Sequence, residues 1–426
     1  MRMLANGTRI LGGAFVLSLA LSAQTFTTLY SFSSQDYGAD EPLRGVVLGP
    51  QGVLYGVSAL GGKWDLGTVY ELLPPVSSGG DWTQVVLHSF NDEAGWNGWL
   101  VMGPSASLYG VTSSGVFKLD PPTGTSSQWR YTVIYDGAAV GSLVFGVPLG
   151  YGQSLYGTAN CAFSLPGGPL CAAVYGLTPP PVAGGPWTYS TVYNLPGGTP
   201  GSRVAGGFAV GAGGTLFGVT SDGGYDGGFC SGWEGCGTVF SLTPPAAAGG
   251  PWTEAILRAF NPGVGDGNRP KAGLVIGPGG VLYGTTFGGG QGYAGCEGDG
   301  GAGGGTVFSL TPPSAAGEPM TETILHEFGV SEGDGCSPAT TLVLGPNGVL
   351  YGTTEYGGAS NDGTAFGLTP PASAGGSWIE TILHSFSGKA DGRYPNELTL
   401  APDGTLYGTT TVGGAYAQGT MFAITP

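Results

Sequence analysis

The chain has 426 residues, including 87 glycines and 32 prolines, and 11% of its residues are aromatic. Glycine and proline at this level would suit a disordered chain, but here the glycines separate short apolar runs, which indicates a loop-rich, all-β globular protein. The net charge is −16 with only 12 lysines and arginines, and the sequence contains no basic run. We therefore expect neither nucleic acid nor an anionic membrane as a partner.

Residues 1–23 have the layout of a secretory signal peptide. Arg2 and Arg9 are followed by an apolar run from Ile10 to Leu21 and by small residues. The run is too short for a membrane-spanning helix. A buried N-terminal strand is the alternative. We expect export of residues 24–426, without membrane insertion.

A block that reads Leu-Tyr-Gly, or a close variant, recurs seven times through the rest of the chain. Its copies centre on Tyr55, Tyr109, Tyr156, Phe217, Tyr283, Tyr351 and Tyr407. Intervals of roughly 50 to 70 residues suit radially repeated units of several strands each. One repeat over the whole length predicts a single domain.

The last two copies show the content of one repeat. Residues 397–401 and 405–410 read as strands A and B around a Pro-Asp-Gly turn, 419–425 read as strand C, and 378–386 of the preceding copy read as strand D. Four antiparallel strands in each of seven units predict a seven-bladed β-propeller.

The two ends of the chain predict how the ring closes. The last copy stops after strand C, whereas residues 25–32 match the strand D pattern and have no A, B or C before them. We expect the N-terminal strand to complete the seventh blade and to cover two exposed strand edges. Deletion of residues 25–32 is then expected to give an unfolded or aggregating product.

Six cysteines in an exported chain favour disulfides over a metal site or catalysis. Neighbours in sequence are the expected partners: Cys161 with Cys171, Cys230 with Cys236, and Cys296 with Cys336. No Cys-x-x-Cys occurs that would suggest zinc.

In a propeller of this strand order, the B–C loops and D–A links open on one face, and here that face carries the longer and more acidic segments. The links contain Asp-Gly-x-x-Pro at Asp266, Asp334 and Asp391. One interpretation is a turn in which the aspartate accepts backbone amides. The other is a binding role, with carboxylates converging on the axis around sugar hydroxyls or Ca²⁺. Apart from this Ca²⁺, we expect no cofactor.

Aromatic residues follow two patterns. Five tryptophans recur at the start of strand D and are predicted to pack between blades, whereas four fall outside the repeat and could stack on sugar rings: Trp64, Trp96, Trp99 and Trp233. Burial in the core is the alternative for these four. The three histidines, in strand D, are interpreted as structural.

The motifs Asp-Gly-x-Leu-Tyr-Gly-Thr-Thr, Gly-Thr-Val-Phe-x-Leu-Thr-Pro and Thr-Ile-Leu-His-x-Phe resemble the gloeo/verruco (GloVer) tandem repeat of exported bacterial proteins. The resemblance is clearest at residues 281–311, 349–371 and 403–425. It implies no particular activity and supplies no catalytic residues.

Two functions remain open. The first is a non-catalytic binding or scaffold propeller, monomeric and secreted or periplasmic, that recognises a glycan or an extracellular protein through its loop-rich acidic face. The second is an exported glycoside hydrolase or lyase that uses a carboxylate pair. The candidates for that pair are Asp222, Asp226, Glu234, Glu297 and Asp299.

Overall fold

Each repeat folds into an antiparallel sheet of four strand positions, and seven such sheets form a propeller in the computed structural model of the chain. The predicted fold class is therefore confirmed. The structure describes residues 24–426 apart from 78, 92–97, 125–126, 138–140, 147–153, 161–171, 183, 200, 226–229, 231–234, 248, 262–264, 292–295, 297–302, 316–317 and 374. The predicted signal peptide lies outside the described residues.

The blades follow one another along the chain, and strand A is the innermost strand of each. In order A to D, the strands of blade 1 are Ala39–Pro42 with Val47–Leu48, Leu54–Gly61, Thr68–Leu73 and Thr83–Ser89. Those of blade 2 are Leu100–Met102, Leu108–Thr112, Gly115–Asp120 and Arg130–Asp136. Those of blade 3 are Leu143–Phe145, Leu155–Asn160, Ala172–Thr178 and Thr188–Leu195. Blades 4 and 5 consist of Val204–Val210, Leu216–Thr220, Thr238–Thr243 and Thr253–Ala259; and Val275–Ile276, Leu282–Thr286, Thr306–Thr311 and Thr321–Glu327. Blades 6 and 7 consist of Val343–Leu344, Leu350–Thr354, Thr364–Thr369 and Ile379–Ser385; and Arg393–Pro395 with Thr399–Leu400, Leu406–Val412, Thr420–Thr425 and Thr25–Ser31.

Short elements connect these strands. Two-stranded ribbons, Gly267–Asn268 with Gly288–Gly289 and Gly335–Cys336 with Tyr356–Gly357, extend the sheets at the loop-rich face. Single 3₁₀ turns form the described A–B connections of five blades, for example Pro346–Gly348, and another spans Gln35–Tyr37. Nowhere in the described part of the chain is there a helix with the length and apolar character that a membrane crossing requires.

The glycine of Leu-Tyr-Gly makes room for an aromatic ring within its own blade. A Cβ on Gly284 would lie 2.6 Å from Cζ of Phe308, which belongs to the adjacent strand C. Equivalent rings lie against the equivalent glycines of the other blades. The glycine is therefore required because an aromatic side chain of the adjacent strand occupies the space that a Cβ would fill.

The second residue after this glycine forms buried hydrogen bonds to strand C. Thr286 and Thr306 share a hydroxyl–hydroxyl hydrogen bond of 2.8 Å between strands B and C, and Thr286 also accepts the backbone amide of Thr306. The same pair of threonines recurs in blades 4, 6 and 7, and Ser58 replaces the first threonine in blade 1. Because both hydroxyls are buried and bonded, they join the two central strands without an unpaired polar atom.

Aromatic contacts join each blade to the next. The tryptophan that begins strand D packs on the Leu-Tyr-Gly tyrosine of the preceding blade, as Trp129 does on Tyr55 at 5.7 Å. The phenylalanine that ends strand D packs on the strand C ring of the following blade, as Phe328 does on Phe366 at 5.0 Å. Recurrence of both contacts at several junctions explains why these aromatics repeat, and it agrees with the predicted packing role of the strand D tryptophans.

The N-terminal strand closes the ring as predicted. Thr25–Ser31 pairs antiparallel with Thr420–Thr425, beginning with Thr25 opposite Thr425. Directly after this strand, Phe32 is fully buried and lies 5.2 Å from Tyr70 of blade 1. Blade 7 is thus assembled from both ends of the chain and packed against blade 1 by the same segment.

Candidate functional site

A channel runs along the propeller axis and widens at the face that carries the B–C loops and D–A links. Its inner part, a cavity of about 270 Å³, is lined by residues from all seven blades. The wider outer part, about 490 Å³, is lined by residues of the D–A links, by the start of strand A of blade 4, and by Ser221 and Asp222, which follow strand B of that blade. We call this outer part the axial cavity. Its volume is that of a typical small-ligand site.

Four of the chain's 12 lysines and arginines line the axial cavity: Arg44, Arg203, Arg269 and Lys271. Asp222 is the acidic residue among its lining residues. We expected this face to be acidic; around its central cavity the described lining is basic, so that expectation was wrong for this part of the face. A cavity walled by one sign of charge concentrates ligands of the opposite sign.

Contacts within the wall hold these cations in place. The Arg44 guanidinium lies 5.0 Å above the ring of Trp99, and the Lys271 ammonium lies 3.0 Å above the ring of Phe287. Nε of Arg203 is 3.3 Å from Oδ2 of the buried Asp222. Cation–π and ion-pair contacts of this kind limit rotamer freedom, so that less ordering is needed when an anion binds.

The backbone at Arg269 is equally constrained. This residue has a φ of 52°, uncommon for a non-glycine residue, and precedes Pro270. Its amide donates to the carbonyl of Cys236, and its own carbonyl accepts the amide of Phe287. Residues in the same place before the link proline of other blades, such as Ser337 and Tyr394, share the positive φ, so the conformation belongs to the repeat.

The structure separates the predicted binding residues. Trp99 and Asp222 lie in the axial cavity. Trp64 is 48% exposed and lines a different groove of about 480 Å³, beside His88 and Tyr131 of blades 1 and 2. The remaining candidates lie outside the described residues: Trp96, Trp233, Asp226, Glu234, Glu297 and Asp299. Their predicted roles in binding or catalysis stay predictions.

The aspartates of Asp-Gly-x-x-Pro lie at junctions between blades and do not line the axial cavity. Asp266 accepts the amides of Asn261 and Gly267, and Asp334 accepts those of Val330 and Gly335. These are the hydrogen bonds of the predicted turn. Their predicted role in binding a glycan or Ca²⁺ is untested and remains a prediction.

Asp391, the third of these aspartates, accepts bonds from Ser387 and from Nε2 of His384, 3.0 Å away. Partial burial opposes its ionisation, but the hydrogen bonds from Ser387 and His384 outweigh that effect and lower its pKa. Asp391 is therefore an ionised anchor of the link between blades 6 and 7.

Two of the predicted disulfides are present. Cys230 pairs with Cys236 beside strand C of blade 4, and Cys296 pairs with Cys336, which joins a loop of blade 5 to the link before blade 6. Cys161 and Cys171 lie outside the described residues. Disulfides are typical of oxidising compartments.

Fold and cavity together define a seven-bladed β-propeller with a basic cavity on its axis. The C-terminal part of the chain carries the Gloeobacter/Verrucomicrobia repeat: the model of that family matches residues 290–426. This match confirms the family that the repeated motifs resemble. A search of curated protein sequences found no match.

Solved structures that resemble this chain are propeller proteins of low sequence identity. The extracellular domain of a putative one-component system from B. thetaiotaomicron gives a TM-score of 0.51 at 9% identity, with 93% of this chain and 39% of that chain covered. A putative oxidoreductase (glucose dehydrogenase) from Thermus thermophilus gives 0.47 at 18% identity, with 76% and 95% covered. A gluconolactonase from Xanthomonas campestris gives 0.38 at 12% identity, with 75% and 82% covered. At these identities the likeness is one of fold alone.

Proposed function

We propose that this protein is an exported, non-catalytic binding propeller that recognises an acidic saccharide, carrying carboxylate or sulfate groups, in the axial cavity. The observation that carries the proposal is the gathering of four basic side chains around one cavity in a chain of net charge −16. The rest of the protein is negatively charged and would repel such a ligand, whereas the basic cavity would attract it.

The chemistry of the wall suits a sugar acid. Guanidinium groups such as those of Arg203 and Arg269 can bind carboxylate or sulfate with two parallel hydrogen bonds. Trp99 adds an aromatic surface next to them, and aromatic rings stack on the apolar faces of sugars. Four basic side chains around one cavity attract an anionic ligand more than a neutral one, which is why we favour an acidic glycan.

Binding can be tested by calorimetry with pairs of oligosaccharides of equal length, one neutral and one containing uronic acids or sulfate groups. We expect the acidic member alone to bind and its affinity to fall as salt is added. Arg203→Ala and Arg269→Ala are each expected to weaken binding at least about tenfold, as loss of a charge-assisted hydrogen bond does.

Arg130→Ala is the matched control, because Arg130 is exposed and pairs with Asp120 on the outer strands of blade 2. It should leave affinity unchanged. Equal binding of neutral and acidic sugars, or unaltered affinity in both cavity variants, would contradict the proposal. Release of shortened sugars during the same assay would favour the hydrolase or lyase instead.

A further inference from the structure

The junction between blades 5 and 6 brings together a histidine and two carboxylates. His326 lies near the end of strand D of blade 5, Asp334 lies in the following link, and Glu380 lies in strand D of blade 6. Nε2 of His326 is 3.8 Å from Oδ1 of Asp334 and 3.5 Å from Oε2 of Glu380. One ligand atom from each residue lies within 4.8 Å of the other two.

The equivalent junction between blades 4 and 5 shows what this position requires. There Arg258 takes the place of His326, and its guanidinium lies 2.5 Å from Asp266 and 2.6 Å from Glu322. A permanent cation therefore holds the two carboxylates together. In the blade 5–6 junction the same two carboxylates recur, but a smaller imidazole replaces the guanidinium.

The imidazole does not fill that role by hydrogen bonding. Nε2 of His326 and Oε1 of Glu380 are both buried and have no hydrogen-bond partner among the described residues, and the distances of 3.5 and 3.8 Å are long for such bonds. The cluster thus lacks the permanent positive charge that Arg258 supplies next door.

The geometry points to a divalent transition-metal site, with Zn²⁺ as the fitting ion, formed by His326, Asp334 and Glu380. Ligand atoms around zinc lie about 2.0–2.2 Å from the metal and hence about 3–4 Å apart, close to the spacing seen here. One imidazole and two carboxylates are ligands that zinc accepts. The amides of Gly335 and Val330 donate to the two carboxylate oxygens of Asp334 and fix its orientation.

Such an ion would cross-link blades 5 and 6. Its ligands come from strand D of blade 5, from the link and from strand D of blade 6, so its binding would require the two blades to be docked. The His326 and Glu380 side chains are 16% and 15% exposed, so the site lies close to the surface, and a water molecule would be the fourth ligand of a tetrahedral ion. Metal that binds only the folded state also stabilises that state.

Calorimetric titration of chelator-treated protein with ZnCl₂ tests the site. We expect one equivalent to bind and the melting temperature to rise with added Zn²⁺. Glu380→Gln should weaken binding at least about tenfold. His326→Arg copies the neighbouring junction, so it should fold, match or exceed the metal-free wild type in melting temperature, and lose the response to Zn²⁺. His384→Ala, which removes a histidine outside the cluster, should bind within about threefold of wild type.

Two outcomes would overturn the assignment. The first is a wild-type protein that takes up no Zn²⁺ at micromolar concentration. The second is an undiminished affinity in both Glu380→Gln and His326→Arg, since the ion would then lie elsewhere on the acidic surface.

Discussion

Phe32→Ala tests whether closure by the N-terminal strand determines the stability of the whole ring. The Phe32 ring is completely buried and lies 5.3 Å from Tyr30 and 5.2 Å from Tyr70, in a cluster that also contains Leu54 and Met421. Removal of a fully buried phenylalanine costs about 3–5 kcal/mol. A globular protein is stable by only about 5–15 kcal/mol, so this change should take away a large part of the free energy of unfolding.

Guanidinium denaturation of Phe32→Ala, with hydrogen exchange of the two paired strands, is the assay. We expect the midpoint to fall and Thr25–Ser31 to lose amide protection before other strands, because the blade 7–1 junction loses its anchor. Phe328→Ala is the matched control at another junction, where it should cost a similar free energy and leave Thr25–Ser31 protected. Tyr37→Ala, which removes a 65% exposed ring, should change stability by less than about 0.5 kcal/mol. A loss below about 1 kcal/mol in Phe32→Ala, or unchanged protection of the strand, would refute the reasoning.

The remaining predictions concern single sites. Tyr70→Phe should stabilise the protein by about 1 kcal/mol in denaturant titration, because the Tyr70 hydroxyl is buried without a hydrogen-bond partner among the described residues. The same burial raises the pKa of the Tyr70 side chain. A loss of stability in this variant would show that the hydroxyl has a partner. Replacing Cys296 and Cys336 by serine should cost about 4 kcal/mol and replacing Cys230 and Cys236 about 2 kcal/mol, since the bridges span 40 and 6 residues; the reverse order would contradict the chain-entropy argument. Burial, with the charge of Asp266 adding to it and the charge of Arg258 opposing it, raises the pKa of Glu322 from 4.5 to about 7. The folded state therefore keeps this proton to a higher pH than the unfolded state, and stability should decline as the pH rises through that window. In Glu322→Gln that decline should be smaller by about 1–2 kcal/mol, and an unchanged pH profile would refute the assignment.

The repeat made the architecture predictable because every blade uses the same aromatics for the same contacts. Trp129 on Tyr55 and Phe328 on Phe366 are copies of two junction contacts that recur around the ring. The N-terminal strand could be assigned because residues 25–32 carry the pattern of strand D without the strands that precede it. The paired cysteines could be matched because Cys230 and Cys236 share one loop, whereas Cys296 and Cys336 lie in neighbouring segments of consecutive blades.

The basic cavity was not predictable from local sequence, since Arg44, Arg203 and the pair Arg269 and Lys271 are far apart in the chain. Only the ring brings the D–A links together at the axis. A signal existed nonetheless: each of these residues lies within a few positions of the start of a strand A, so aligning the repeats on strand A would have placed them at one rim.

The histidine–carboxylate cluster was missed for a related reason. His326 and Glu380 occupy different positions of strand D in consecutive repeats, and each looks structural when read within its own repeat. Stacking one blade on the next places the end of one strand D against the beginning of the following one, as the contacts of Arg258 with Glu322 and of His384 with Phe26 also show.

Closure with Thr25 opposite Thr425 has a consequence for the synthesis of the molecule. Thr25–Ser31 leaves the ribosome long before Thr420–Thr425, so this strand stays unpaired while about 400 further residues are synthesised. A chain that stops before blade 7 has neither the edge that this strand needs nor the buried site that Phe32 fills. The ring can therefore close only after its last strand has been made, and a shortened product would reveal itself by an unpaired strand.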